Sequence, residues 1–265
     1  MTEVAPLKPP VRPAADRLFD LLLWGGIIGL LVFSYRAAEI GKLPLLFRNS
    51  ANTREFMSDF IRPDFTNGWD IVRQMGLTLE MALWGTALAI ILAVPMGLMA
   101  SRNVSPPWLQ IPVRRFLDLL RSVPDLVIAT AFLVAVGPGP LAGVIALTLN
   151  TGGVLGKLFS EAVESIDRGP VEGVRATGAT PLHEVVWGVI PQVAPLWVSY
   201  GLYRFESNSR SATVLGLIGA GGIGQTLFDS MNSFNFARTA AISIVIVAAV
   251  TSIDLLSQTI RSRLL

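Results

Sequence analysis

From Leu126 to Gly156 the chain runs for 31 residues without a charged side chain, and Gly137-Pro138-Gly139-Pro140 stands inside that run. A helix needs about 20 apolar residues to cross a bilayer, and a Gly-Pro-Gly-Pro run cannot continue a helix. The stretch therefore predicts two membrane helices joined by a tight turn at one membrane face. A second uncharged run of 21 residues, Met81 to Ser101, is broken only by Pro95. Charged residues make up 15% of the whole chain, thin cover beside the roughly 25% of a soluble domain. Lipid is the solvent for much of this molecule, and a soluble enzyme is excluded. With no Cys and one histidine, His183, disulfides, thiolate chemistry and multi-histidine metal sites are excluded too, so no metal or cofactor is expected. A net charge of +2 is too small to argue for nucleic acid.

Four regions follow from where the charges fall. Residues 1–16, with Pro6, Pro9, Pro10 and Pro13, read as a disordered tail, cytoplasmic where the N-terminus is inside. Residues 17–38 form the first transmembrane helix, uncharged from Leu21 to Tyr35, read as a retained anchor; its Gly25-x-x-x-Gly29 spacing suits close helix contact. Residues 39–72 mix charges with Phe47, Phe56, Phe60, Phe65 and Trp69 and read as a periplasmic or interfacial segment. Residues 73–265 form the core. In it the second span is Met81 to Ser101, the third runs from near Pro112 to the Gly-Pro turn, and the fourth ends near Lys157 or Ser160. Pro191 and Pro195 place the fifth span toward and beyond the C-terminal half of Val185 to Tyr203, and the last span covers about Thr239 to Ile260. Between these two, Ser211 to Phe228 holds so many glycines, Gly216, Gly219, Gly221, Gly222 and Gly224, that a broken or re-entrant segment is expected. The expectation is an all-α polytopic membrane protein of about six helices with both termini on one side. The basic residues divide almost evenly between the two sides and do not orient it.

Charges within the spans need partners or a function. Asp118, Arg121 and Asp125, spaced i, i+3, i+7, are expected on one face of the third span, either as an ion-pair ladder or with Arg121 facing an anion pathway. Glu206 and Arg210 repeat the choice, while Asp254 has no opposite charge within a turn. Two familiar patterns fail. Gly219-x-Gly221-x-x-Gly224 matches a dinucleotide fingerprint by letters, yet no acidic residue follows at the required distance and the next segment is a membrane span. Gly156-Lys157 has Thr at 151 and Leu at 158, so it lacks the glycine and hydroxyl of a Walker A loop. Energy for active transport has to come from another chain or an ion gradient.

Residues 172–191 are the informative piece: Glu172-Gly-Val-Arg175-Ala-Thr-Gly178-Ala179, with Pro191 nineteen residues after the glutamate. They resemble the EAA loop of bacterial ABC-importer permeases, with Gly173 and Val174 in place of two alanines and Gly188 and Ile190 in place of a later Ile and Leu. Arg121-Ser-Val-Pro124-Asp125-Leu-Val127, Val136-Gly-Pro-Gly-Pro-Leu-Ala-Gly143 and Gly152-Gly-Val-Leu-Gly-Lys-Leu-Phe159 resemble permeases of phosphonate importers, the PhnE type. Glu161-Ala-Val-Glu164 and Arg210-Ser-Ala-Thr-Val-Leu-Gly216, leading into the glycine segment, do so as well. The resemblance spans about residues 56–263. It implies the core of a type I ABC importer and a homodimer whose interface forms the pathway. Two copies of an ATPase subunit and a periplasmic or lipid-anchored phosphonate-binding protein are implied as partners. It implies that the loop at about 165–191 docks the ATPase from the cytoplasm through Glu172, Arg175, Gly178, Ala179 and Pro191, which sets both termini in the cytoplasm. Arg121, Asp125, Asn208 and Arg210 are then the candidates for the pathway, and Gly219, Gly221, Gly222 and Gly224 form the periplasmic glycine segment. The substrate would be a phosphonate or related phosphorus oxyanion, with no chemistry on it. A permease for methionine or another small solute is the near alternative; a passive channel or an intramembrane hydrolase is the distant one.

Overall fold

The computed structural model describes residues 14–45 and 50–264, all of whose regular structure is helical. Most of the expected tail, residues 1–13, lies outside the described residues. Two compact units divide the chain at Ser58 and Asp59. In the first, α1 (Ala14–Ala37) is followed by a 3-10 turn, Ile40–Lys42. Within this unit no residue of its apolar stretch Leu18–Ala37 is buried, and Gly25 and Gly29 meet nothing within 4 Å. The short helix α2 (Ser50–Ile61) carries the chain across the boundary.

The second unit is a helix bundle built around α3 (Gly68–Ala100) and α6 (Pro140–Glu164). The second span is longer than its uncharged run suggests: α3 has 33 residues and begins at Gly68, inside the segment expected to stay outside the membrane. These two helices run parallel in one register, because Gly85 sits against Leu147 and Gly97 against Phe159. Lipid tails supply no hydrophobic force between helices, so contact depends on close approach. Gly152 meets Leu92 and Ala89, and Ala89, Ala93, Leu155 and Phe159 share one buried cluster.

Two parallel neighbours require the chain to return between them. The return is α4 (Pro107–Ser122) and α5 (Asp125–Val136), which meet at 86°. The third span is therefore broken where one helix was expected. Pro124 disfavours helical geometry at the residue before it, and Val123 has φ −87° and ψ 124°. The turn at 137–140 forms as the prolines and glycines dictate: Gly137 and Gly139 have φ of 89° and 147°, and Pro140 opens α6.

Beyond α6 come α7 (Arg168–Ala176), α8 (Ile190–Leu215), α9 (Ile223–Asn232) and α10 (Phe236–Leu264). Helical structure already precedes α8, as a turn at Pro181–His183 and a π-helical stretch Glu184–Val189. The two prolines thus do not delay the fifth span. Pro191 has no N–H for the carbonyl four residues back, and the hydrogen-bond register loosens into π geometry ahead of it. α8 runs antiparallel to α6, with Trp197 stacked on Phe159 at 4.7 Å and Asn208 bonded to Thr151. α10 starts beside α3: Asp64 N–H donates to Ala237 O at 3.0 Å, and Arg238 approaches Asp70 at 3.7 Å. The hydroxyl and amide of Thr66 both bond Asp64 and hold its carboxyl below the ordinary range. Among the described residues, five helices are long and apolar enough to cross a membrane, and the α4–α5 pair makes a sixth if it counts as one span.

A Cβ on Gly153 would lie 2.8 to 3.1 Å from Leu120 Cβ, Arg121 N and Leu117 O, two of them backbone atoms that cannot step aside. Gly153→Ala is expected to lower stability by about 1–3 kcal/mol. Gly76→Ala, with nothing within 4 Å, should be neutral or slightly stabilising; thermal unfolding of the detergent-solubilised chain compares the two.

Candidate functional site

At the end of the bundle where α3 stops and α6 stops, the chain presents α7, a nine-residue helix with no buried residue. Its ends are well specified. Asp167 accepts from the Gly169 N–H at 3.0 Å as N-cap. Gly178, at φ +79°, closes the helix with its N–H on Arg175 O, a left-handed position that suits glycine. Two polar links tie α7 to the helix that follows. Arg175 Nε and Nη2 donate to the two oxygens of Glu184 at 3.0 and 2.7 Å, a bidentate pair that raises the Arg175 guanidinium further. Gln192 accepts from Asp167 N–H at 3.1 Å and donates to Asp167 O and Gly188 O. A Cβ on Gly188 would stand 3.0 Å from Val171 Cα, so α7 lies directly on the π-helical stretch.

Glu172, Gly178 and Ala179 sit on or beside this exposed helix, whereas Pro191 lies in the first turn of α8 and acts through the π register. On the outer side of the loop, Gly173, Val174, Ala179, His183 and Trp187 line a groove of about 640 Å³. Glu172 and Arg175 share a smaller cavity, about 260 Å³, with Asn103 and Arg168. Glu172, Arg175, Gly178 and Ala179 thus lie together on or beside α7, and Pro191 stands apart from them in α8. Gln192 carries no motif letter and comes to light only from the fold.

Deeper in the bundle a polar knot joins three helices. Asn208 on α8 is fully buried; its amide donates to Thr86 Oγ1 of α3 at 2.8 Å and accepts from Thr151 Oγ1 of α6 at 2.9 Å. Arg204 Nη2 donates to the same Thr151 at 3.1 Å, and its Nε is enclosed without a hydrogen-bond partner. Arg204 forms no ion pair with a described carboxylate; Asp125 acts on it only through its field. Sequence reading did not count Arg204 among the pathway candidates, because Thr151, which holds it, is 53 residues away.

The remaining pathway candidates are rearranged by the break at Pro124. Arg121 pairs with Asp118 at 2.9 Å on α4, but Asp125 opens α5 and is not on that face. The expected three-residue ladder is a pair. Glu206, 7% exposed, holds Arg210 at 2.9 Å and Arg261 of α10 at 3.4 Å, with Arg261 also 6.0 Å from the Tyr203 ring. Arg210 is thus engaged on one side and half exposed on the other. Asp254 is met by Gln258 Nε2 at 3.2 Å.

The glycine segment is a seat for close contact. After a π stretch, Gly216–Ala220, the chain folds back; a Cβ on Gly224 would lie 1.9 Å from Thr213 O. Gly222, at φ +74°, would set one 2.4 Å from Thr78 Oγ1, whose hydroxyl caps Ile223 N–H at 2.8 Å. Gly139 N–H donates to Gly219 O, fastening the segment to the turn before α6. With helices on both sides and no strand among the described residues, the fingerprint at 219–224 has no dinucleotide-binding context.

Residues 75–265 match the family model described as binding-protein-dependent transport system inner membrane component. The phosphite transport system permease protein PtxC of Stutzerimonas stutzeri is 42% identical over 200 residues, 75% of this chain and 73% of that protein. The phosphate-import permease protein PhnE of Mycolicibacterium smegmatis is 38% identical over 255 residues, 96% of this chain but 48% of its own length, so the chain spans about half of that relative. Among solved structures, an inward-facing conformation of the MetNI methionine ABC transporter superposes with TM-score 0.66 at 22% identity, covering 74% of this chain and 97% of the other. At that identity the likeness shows the fold.

Removing a buried carboxylate that neutralises two guanidiniums leaves uncompensated charge. Glu206→Gln is expected to cost about 3 kcal/mol of stability and Arg210→Gln less than about 1 kcal/mol, both read by denaturant unfolding in detergent.

Proposed function

Since the chain belongs to the family of binding-protein-dependent transport system inner membrane components, we propose that it is the permease of an ATP-driven importer for a phosphorus oxyanion such as phosphonate, phosphite or phosphate. The observation that carries this reading is α7: a capped helix with no buried residue, fastened to α8 by Arg175–Glu184 and Gln192, has the form of a part built to be pushed. The substrate class is supported by the phosphite and phosphate permeases that the chain resembles and by the arginines it keeps near the pathway candidates.

Two copies of this chain form the pathway between them, two copies of an ATPase dock on the α7 faces, and an external phosphonate-type binding protein delivers the ligand. α7 is then cytoplasmic, and the even number of spans sets both termini there. ATP binding draws the ATPases together and moves α7, and the pathway opens outward; hydrolysis reverses it. No bond of the substrate changes, and ligand binding and nucleotide state each bias the same two-state equilibrium. In that cycle Arg204 is the permease's own oxyanion contact. Its charge is uncancelled at close range, its position is held by Thr151, and a dianion meeting it among low-dielectric walls is attracted far more strongly than in water.

Reconstitution with the ATPase and binding protein in proteoliposomes tests this by ligand-stimulated ATP hydrolysis and uptake of phosphite. Arg175→Glu or Glu172→Lys is expected to abolish stimulation at least tenfold, and the exchange Arg175→Glu with Glu184→Arg to recover part of it. Arg204→Gln should leave ATPase docking intact and cut uptake at least tenfold. Intact stimulation and uptake in Glu172→Lys and Arg175→Glu overturns the docking role of α7.

A further inference from the structure

A third cavity, about 420 Å³, lies between the N-terminal half of α4, the link from α3, and α6, at the same end of the bundle as α7. Arg102, Arg114, Arg115 and Lys157 line it, with Gln110, Ile111 and Asp118. Three of the charges nearby are spent. Arg114 is bound to Glu164, Asp118 to Arg121 at 2.9 Å, and Lys157 leans toward Glu161 at 3.8 Å. Arg102 and Arg115 have no carboxylate partner among the described residues, so the cavity keeps two uncompensated positive charges. Its frame is rigid: Arg114 Nε donates to Ala100 O at 2.8 Å, the backbone N–H of Arg102 to Glu164 Oε1 at 2.8 Å, and Asn103 to Val163 O at 2.7 Å.

The outer face of α4 beside this cavity is apolar. Trp108 is 75% exposed, Ile111 56% and Leu119 61%, with Arg115 among them. An exposed aromatic and aliphatic face with arginines along it is the pattern of a helix at the lipid headgroup level, where long basic stems lie on apolar surface and their charges reach phosphate. Uncompensated guanidiniums in a concave wall favour an oxyanion that accepts two parallel N–H bonds, such as the phosphate group found at headgroup level, over a neutral ligand.

We propose that this cavity is a phosphate-group site, filled by the headgroup of an anionic phospholipid or by a free phosphorus oxyanion. It rests on the transport reading only in placing this end of the bundle at the cytoplasmic face. The site would anchor α4, and through the Arg102–Glu164 link the end of α6 that leads into α7, to the lipid surface.

The test uses the chain purified with its ATPase in detergent. Native mass spectrometry measures binding of dioleoylphosphatidylglycerol against dioleoylphosphatidylcholine, and titration calorimetry measures inorganic phosphate. Phosphatidylglycerol or phosphate is expected to bind at least tenfold more weakly to the Arg102→Gln/Arg115→Gln pair, and Arg102→Lys/Arg115→Lys should keep most of the binding. Loss confined to the lipid identifies a headgroup site; loss of phosphate binding identifies a free-ion site. Co-elution with the ATPase and an unchanged unfolding midpoint show that the variants fold. Binding of both probes unaffected by the double Gln substitution overturns the proposal, as does equal loss in the Lys pair. A complex that binds phosphatidylglycerol in this manner yet imports nothing overturns the transport reading alone; the reverse overturns this site alone.

Discussion

The parallel contact of α3 and α6 is the constraint from which the rest of the bundle follows. Two long helices in lipid gain nothing from hiding apolar surface, so they hold together only where backbones approach closely. Gly85, Gly97 and Gly152, with Ala89 and Ala93, make that approach possible. Because the two helices point the same way, the chain must come back between them within 39 residues, Ser101 to Gly139. The bent pair α4–α5 is that return. Its lower half needs Gly153 and Gly156 to lie against α6, since Leu117 and Leu120 fill the space a larger side chain would take.

Once that pair is fixed, the polar groups of the interior have assigned places. A membrane interior cannot leave an amide or carboxylate unsatisfied without large cost, and two of the buried ones here tie helices together. Asn208 spans α3, α6 and α8; Glu206 spans α8 and α10. Two groups are exceptions: the Trp197 Nε1–H is enclosed without a partner, and Arg204 has one hydroxyl partner and an enclosed Nε with none. A guanidinium held in this way is costlier than an indole N–H, and it is the observation behind the oxyanion contact proposed for Arg204.

Much of this could be read from residue order, and the misses share a cause. The turn at 137–140 and the exposed loop at 165–191 were legible because Gly and Pro act locally on φ and on helical hydrogen bonds. The long spans were legible because absence of charge is itself a solvation statement. The ladder of Asp118, Arg121 and Asp125 failed because i, i+3, i+7 spacing presumes one continuous helix. Pro124, three residues after Arg121, already forbade that. The delay assigned to Pro191 and Pro195 failed in the opposite direction: a helix can absorb proline by slipping into π geometry, a response that residue spacing does not display. Asn208 and Arg204 acquire their meaning from Thr86 and Thr151, which lie 122 and 53 residues away respectively. No local pattern carries that information.

These contacts bear on how a push at α7 would travel. Helical structure is unbroken from Pro181 to Ile218, up to the kink at Gly219, and α7 is tied to its first turns by a bidentate ion pair and a glutamine bonded on both sides. A displacement of α7 therefore acts on the base of a stiff rod. Its π-helical base has wider hydrogen-bond spacing than the rest, so bending concentrates there, while α8 above it moves as a unit. That unit bears Arg204, Glu206 and Asn208 together. Their partners lie on other helices, Thr151 on α6, Thr86 on α3 and Arg261 on α10. Any rotation of α8 large enough to change access to Arg204 must exchange those hydrogen bonds for others. Hydrogen bonds exchange between discrete partners rather than stretching, which favours two arrangements over a continuum. In the arrangement described here Asn208 is committed to Thr86 and Thr151, and its amide has to leave both before it can meet anything else.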